Sequence, residues 1–95
     1  MEISWRQRAL NDLESARAYI AASNPTAARK CWELILGAVA RLPTTPDIGR
    51  PGRSAHTREL VVKGTPYIVA YSVFNDTVEI LGALPQDDFV QQALG

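Results

Sequence analysis

The chain has few of the side chains that most often carry catalysis. Among its 95 residues there is one cysteine, Cys31, and one histidine, His56. A lone thiol closes no internal disulfide and builds no cysteine-based zinc site. No apolar run approaches the roughly 18 residues that cross a bilayer. The start, Met1-Glu2-Ile3-Ser4-Trp5-Arg6, lacks the basic-then-apolar pattern of a signal peptide. These absences fit a cytosolic protein. Net charge is missing too: 10 bases balance 10 acids, which argues against coating nucleic acid by bulk electrostatics.

The neutrality is a sum of unlike parts. Residues 43–63 hold Arg50, Arg53, Arg58 and Lys63 against Asp47 and Glu59, whereas residues 64–95 hold Asp76, Glu79, Asp87 and Asp88 with no Lys or Arg. The length allows one domain, residues 1–95. A chain this small buries only about 60–70% of its unfolded surface, so a partner that covers further apolar surface would add noticeably to its stability.

Residues 2–5 read as a short strand. Leu10, Leu13, Ala16 or Arg17, and Ile20 then recur at helical spacing, which predicts a helix over about 6–22. Asn24-Pro25 is a helix start: the Asn side chain accepts from an orphan N–H, and Pro suits the first turn. The second helix should run to about Leu42, with Ala28, Cys31, Ile35, Ala38 and Leu42 as one stripe, Trp32, Leu36 and Val39 as an adjoining one, and Leu34 further round. This arc is wide. Either the small core uses all of it, or part of it is a partner-binding surface. The short link Ala22-Ser23-Asn24 makes the helices antiparallel neighbours.

Residues 43–57, with three Pro, two Gly and no period, read as a long loop. From Arg58 the period becomes two. Strands are predicted at Arg58–Lys63, Tyr67–Phe74 and Thr77–Leu84, joined by Gly64-Thr65-Pro66 and by the two-residue turn Asn75-Asp76. Asp87–Leu94 would form one or two helical turns. The expected fold is α+β: an N-terminal strand on one sheet edge, and a two-helix hairpin packed on a C-terminal antiparallel three-stranded meander, in the order β-α-α-β-β-β.

No hydrolase or cofactor fingerprint stands out. His56 has no adjacent nucleophile and no Gly-x-Ser-x-Gly turn, and reads as a solvated loop histidine. Gly49-Arg50-Pro51-Gly52-Arg53 lacks the spacing and the Lys-Ser/Thr of a phosphate loop. Asp87-Asp88 makes a weak metal site and better caps a helix. Cys31 reads as a small buried hydrophobe. Arg50, Arg53 and Arg58 could bind an anion, or could edge a solvated loop with Arg58 pairing a local acid.

Taken together, Trp5…Ala9-Leu10-Asn11-Asp12-Leu13, Tyr19-Ile20-Ala21, Asn24-Pro25-Thr26-Ala27-Ala28, Gly49-Arg50-Pro51-Gly52-Arg53, Thr57-Arg58-Glu59-Leu60-Val61-Val62 and Thr65-Pro66-Tyr67-Ile68-Val69-Ala70-Tyr71 resemble the ParE/RelE toxin superfamily of type II toxin–antitoxin modules, over about residues 3–84. The resemblance is to the ParE branch, whose members inhibit DNA gyrase by protein–protein contact and need no catalytic residue, metal or cofactor. The alternative it implies is a RelE-like ribosome-dependent mRNA endonuclease. Such an enzyme places bases on the strands and at the C-terminal end to stabilise the phosphodiester transition state. The corresponding positions here are Glu59, Val61 and Ile68, and the stretch Leu84-Pro85-Gln86-Asp87-Asp88. A third alternative is a degenerate, non-toxic antitoxin-binding module.

The implied partner is a cognate antitoxin, ParD-like or of another type II family, forming a hetero-oligomer with the toxin. It would lay a helix on the hairpin and often add a strand to the sheet. The resemblance assigns it Trp32, Leu36 and Val39 as an apolar landing surface and Arg50, Arg53 and Arg58 as partners for its acids. The departing tail, with Asp87, Asp88 and Phe89, would contact the target.

Overall fold

The computed structural model describes residues 1–86. Strand β1 (Glu2–Trp5) leads into helix α1 (Gln7–Ala21) and helix α2 (Pro25–Ala40), followed by β2 (Arg50–Pro51), β3 (Thr57–Val61), β4 (Tyr67–Phe74) and β5 (Thr77–Pro85). The helix boundaries fall within two residues of the periodicity. At the start of α2, the Asn24 side chain accepts the Ala27 N–H at 3.0 Å, and Pro25 occupies the first turn. At the hairpin between β4 and β5, Asn75 and Asp76 both take positive φ, 50° and 58°, which matches the twist of the flanking strands.

The strands form one sheet in the order β1-β5-β4-β3-β2. β2 to β5 are antiparallel neighbours, and β1 runs parallel to β5 with Ile3 beside Val78 and Trp5 beside Ile80. The sheet is therefore mixed. It holds one strand more than the periodicity predicts, because β2 lies inside the segment expected to be a loop. Its residues carry no apolar alternation: Pro51 lacks an N–H, and Gly49 and Gly52 flank the pair. Backbone pairing sets its register, including Gly52 N–H to Thr57 O at 2.8 Å, and the Arg50–Glu59 pair adds a side-chain link. The expected turn at Asp87–Leu94 lies outside the described residues.

The helices cover one sheet face. Leu13, Ile35, Val39 and Leu42 pack against Val69, Tyr71, Val78 and Ile80, with Ile3, Trp5 and Leu60 at the margin. On α1 the buried residues are Ala9, Leu13 and Ala16, with Ile20 partly buried. Leu10, placed on this stripe by the periodicity, is one position round and exposed, because successive residues are 100° apart and the buried face centres on the Ala9–Leu13–Ala16 line. Arg17 also leaves the stripe; its guanidinium stands 6.0 Å from the centroid of Trp32.

One irregularity marks β5. Tyr71 pairs Ile80 but Ala70 pairs Gly82, so Leu81 is an extra residue. Beyond it the Ala83 N–H donates to Asp12 Oδ2 of α1 at 3.1 Å, which ties the helix to the strand where β1 has already ended.

Candidate functional site

The chain links β2 and β3 for only two residue pairs, Arg50–Glu59 and Pro51–Arg58. The rest of β3 is a sheet edge. Val62 N–H donates to Tyr67 O at 3.1 Å, so Val62 and, two residues back, Leu60 direct their backbone groups at β4. By the antiparallel alternation, the N–H and C=O of Val61 point the other way, past the end of β2. Beside this edge runs a groove of about 780 Å³ between α2, the segment after it and β3. Leu34 and Ala38 form one wall, Leu60, Val61 and Val62 the other, and Ile48 closes it. Arg41, Arg50 and Lys63 stand at its rim, with Glu59 against Arg50 as its one acid. Ile48 is 57% exposed and Val61 41%, so both present apolar area to a partner. An unpaired strand edge beside an apolar trough with a basic rim suits an acidic amphipathic segment.

Ile48 is placed by a clamp beneath it. The Tyr71 hydroxyl, rooted in the core on β4, donates to Pro46 O at 2.7 Å and accepts the Gly49 N–H at 2.8 Å. Arg58 Nη1 donates to Gly49 O at 2.8 Å and to Asp47 O at 3.3 Å. Gly49 has no room for a side chain: a Cβ there would stand 2.6 Å from Tyr71 Oη and 2.7 Å from its Cε1. Burial pushes the Tyr71 phenol above its ordinary value, against the opposing pull of the Gly49 N–H and of the Arg58 charge.

The residues expected to meet a partner are spread over the surface. On α2, Trp32 is half-buried and Leu36 is 37% exposed, and both lie on the flank away from the groove. Trp32 there closes a second hollow of about 320 Å³ between Arg17, Pro25 and Arg29. Val39 does not belong to a landing surface. It is 2% exposed and packs in the core, because it lies nearer the Ile35 line than to Leu36. The wide apolar arc thus resolves into a core stripe with an exposed margin on each side: Trp32 and Leu36 on one, Leu34 on the other.

The three arginines do not converge on one anion. Arg50 reaches Glu59 Oε1 at 3.3 Å, Arg58 is engaged with the loop carbonyls, and Arg53 lines a separate cavity. Asp87, Asp88 and Phe89 lie outside the described residues. Of the residues that form the groove, Leu34 belongs to the wide apolar arc of the second helix, whereas Ile48, Leu60 and Val61 were not singled out as a site in the sequence. The signal that could have found Ile48 is a large apolar residue alone in a polar Pro/Gly segment.

That separate cavity, of about 250 Å³, opens on the outer sheet face between Arg53, Glu59, Ala70 and Leu84, with Arg8 from the start of α1 at its margin. Glu59 is 8% exposed and accepts from Arg50, Ile68 beside it is fully buried, and Val61 is the third outer-face residue of this group. Arg8 is 3.9 Å from Asp12. His56, with φ 65°, lies by Pro51, Arg58 and Val73 and does not line the cavity. Among the described residues no three His, Cys, Asp or Glu come together to hold a metal, and no helix is long and apolar enough to cross a membrane. Cys31 is buried, which pushes its thiol up and suits a packing role.

The family of the ParE toxin of the type II toxin–antitoxin system, parDE, matches residues 3–88. A protein of Sinorhizobium fredii named as a toxin, Y4kP, is 46% identical over 79 residues, covering 83% of this chain and 81% of that protein. Toxin RelE2 of Caulobacter vibrioides is 36% identical over 80 residues, covering 84% and 89%. Among solved structures, a chain of the chromosomal ParDE system of P. aeruginosa superposes with a TM-score of 0.84 at 23% identity, over 90% of this chain and 95% of that one. The isolated E. coli RelE toxin superposes with a TM-score of 0.61 at 11% identity, over 97% of each. At those identities the two structures speak for the fold alone.

Proposed function

The chain belongs to the ParE toxin family of type II toxin–antitoxin systems, and we propose that its target is DNA gyrase, reached in the cytoplasm by protein–protein contact without catalysis by the toxin. The observation that carries this reading is Glu59. A ribonuclease of this fold needs cations on the outer sheet face, where negative charge develops on the phosphorane. The candidate strand positions here hold the buried Glu59 with the apolar Val61 and Ile68. A carboxylate at the centre of that face opposes the developing charge. The arginines that line the cavity are Arg8, which stands near Asp12, and Arg53, while Arg50 of the neighbouring groove is paired with Glu59 itself.

The partner that neutralises the toxin is a cognate antitoxin, ParD-like or of another type II family. Its seat is the groove beside β3. An extended segment would pair with the Val61 backbone, its apolar side chains would enter between Leu34, Ile48 and Leu60, and its acids would meet Arg41, Arg50 and Lys63. A helix continuing from this strand would cross α2 to Leu36 and Trp32. Asp87, Asp88 and Phe89 remain the proposed contact with the target.

Inducible expression without the antitoxin, followed by a supercoiling assay with purified gyrase, tests the reading. Growth arrest with filamentation and loss of supercoiling is the expected result. Rapid translation arrest with cleaved mRNA and unaffected gyrase would establish the nuclease instead, and healthy growth the degenerate module.

A further inference from the structure

The groove has one wall that is neither helix nor strand. Residues 43–49 leave α2 and carry Ile48 outward, with more than half of it exposed, yet the backbone under Ile48 is fastened on both sides. Pro46 O and Gly49 N–H share one phenol oxygen, and Asp47 O and Gly49 O share one guanidinium nitrogen. These four bonds involve every residue flanking Ile48 and leave its side chain as the only apolar group of the segment that faces the groove. The clamp residues are in no position to touch what binds there. Tyr71 is fully buried, and Arg58, half-buried, commits its Nη1 to the loop carbonyls and does not line the groove.

We propose that Tyr71 and Arg58 are positioning residues for the antitoxin: they hold the 46–49 segment in its binding shape, so that Ile48 meets the partner without an ordering cost at the moment of association. This rests on the reading of the groove as the antitoxin seat. It changes the role of Arg58 from a charge that pairs acidic antitoxin residues to a support for an apolar contact. It also accounts for Gly49, since only a residue without Cβ lets the loop come this close to the phenol ring. A surface segment fixed in advance raises affinity by reducing what binding must order.

The test uses the full chain and, as probe, the purified protein encoded by the adjacent reading frame. Tyr71→Phe should keep the helical circular-dichroism signal while the amides of Ile48 and Gly49 exchange at least about tenfold faster in the free toxin. The same variant should raise Kd by about tenfold, and in an Ile48→Ala background by less than about twofold, the non-additivity expected of a residue that acts through another. Arg58→Gln should also raise Kd but leave its salt dependence as in the parent, whereas Arg41→Gln or Lys63→Gln should flatten it. It serves as the second clamp variant if Tyr71→Phe does not fold. Equal penalties with and without Ile48, or a flattened salt dependence in Arg58→Gln, would overturn the proposal and return Arg58 to a direct contact. Unchanged amide exchange in Tyr71→Phe would overturn it independently of any partner. Failure of the parent toxin to bind the probe while the amides respond would count against the antitoxin seat and leave the clamp as loop anchorage only.

Discussion

Replacing Val61 by proline separates the edge of β3 from its body. Among the described residues the Val61 N–H bonds no neighbouring strand, because Leu60 and Val62 make the ladder to β4 and β2 ends opposite Glu59. Proline is tolerated where the missing donor faces solvent at a sheet edge, and Leu60 before it is already extended, as such a residue must be. Stability should therefore move by less than about 1 kcal/mol. In the complex the same change removes one interchain hydrogen bond, a net loss of about 0.5–1.5 kcal/mol, and strands a carbonyl of the partner at a further cost of about 1–3 kcal/mol. The total, about 1.5–4.5 kcal/mol, predicts a Kd raised by between about tenfold and about two thousandfold. Titration calorimetry with the antitoxin measures the second quantity, and urea unfolding of the free toxin the first. A variant that folds like the parent and binds as tightly would refute strand addition at this edge and leave only side-chain packing in the groove.

Asp12→Ala leaves the Ala83 N–H of the bulged strand without its charged acceptor, so about 2 kcal/mol of stability and roughly 10 °C in melting temperature should be lost; Asp12→Asn, which keeps an acceptor, should recover part of it. Tyr71 has its phenol pKa raised by folding, so its contribution is complete below about pH 10, the ordinary phenol value, and is lost as pH climbs through the higher folded value. The stability gap between the parent and Tyr71→Phe should accordingly stay constant from pH 8 to about 10 and narrow above that in urea titrations; a gap that stays constant above about pH 10 would contradict the clamp's dependence on the neutral hydroxyl.

Much of the fold was legible because its signals are local. Asn24-Pro25 announces α2, Asn75-Asp76 announces a hairpin, and the period-two runs of β4 and β5 have no helical alternative. What escaped was set by pairing between distant segments. β2 has no side-chain pattern, since its register comes from backbone contact with Thr57, Arg58 and Glu59. The parallel direction of β1 depends on where α1 returns the chain. The candidate site was legible only by residue type. Val39 looked like a neighbour of Leu36 on a helical wheel and proved to be core, because the sheet lies nearer that side of α2 than the pattern alone can tell. The arginines of the loop looked like one basic patch and went to three different places: Arg50 to Glu59, Arg58 to the Asp47 and Gly49 carbonyls, and Arg53 to the wall of a separate cavity.

The pairing of the first strand with the last sets a schedule for the molecule. Ile3 has its strand partner at Val78 and Trp5 at Ile80, so during synthesis the beginning of the protein waits for nearly all the rest. Until residue 80 has left the ribosome, the helical hairpin can form but Ile3 and Trp5 have no sheet to join. Contacts of such long sequence separation close late and slow the search for the native state. A toxin built this way passes through most of its translation without its finished sheet.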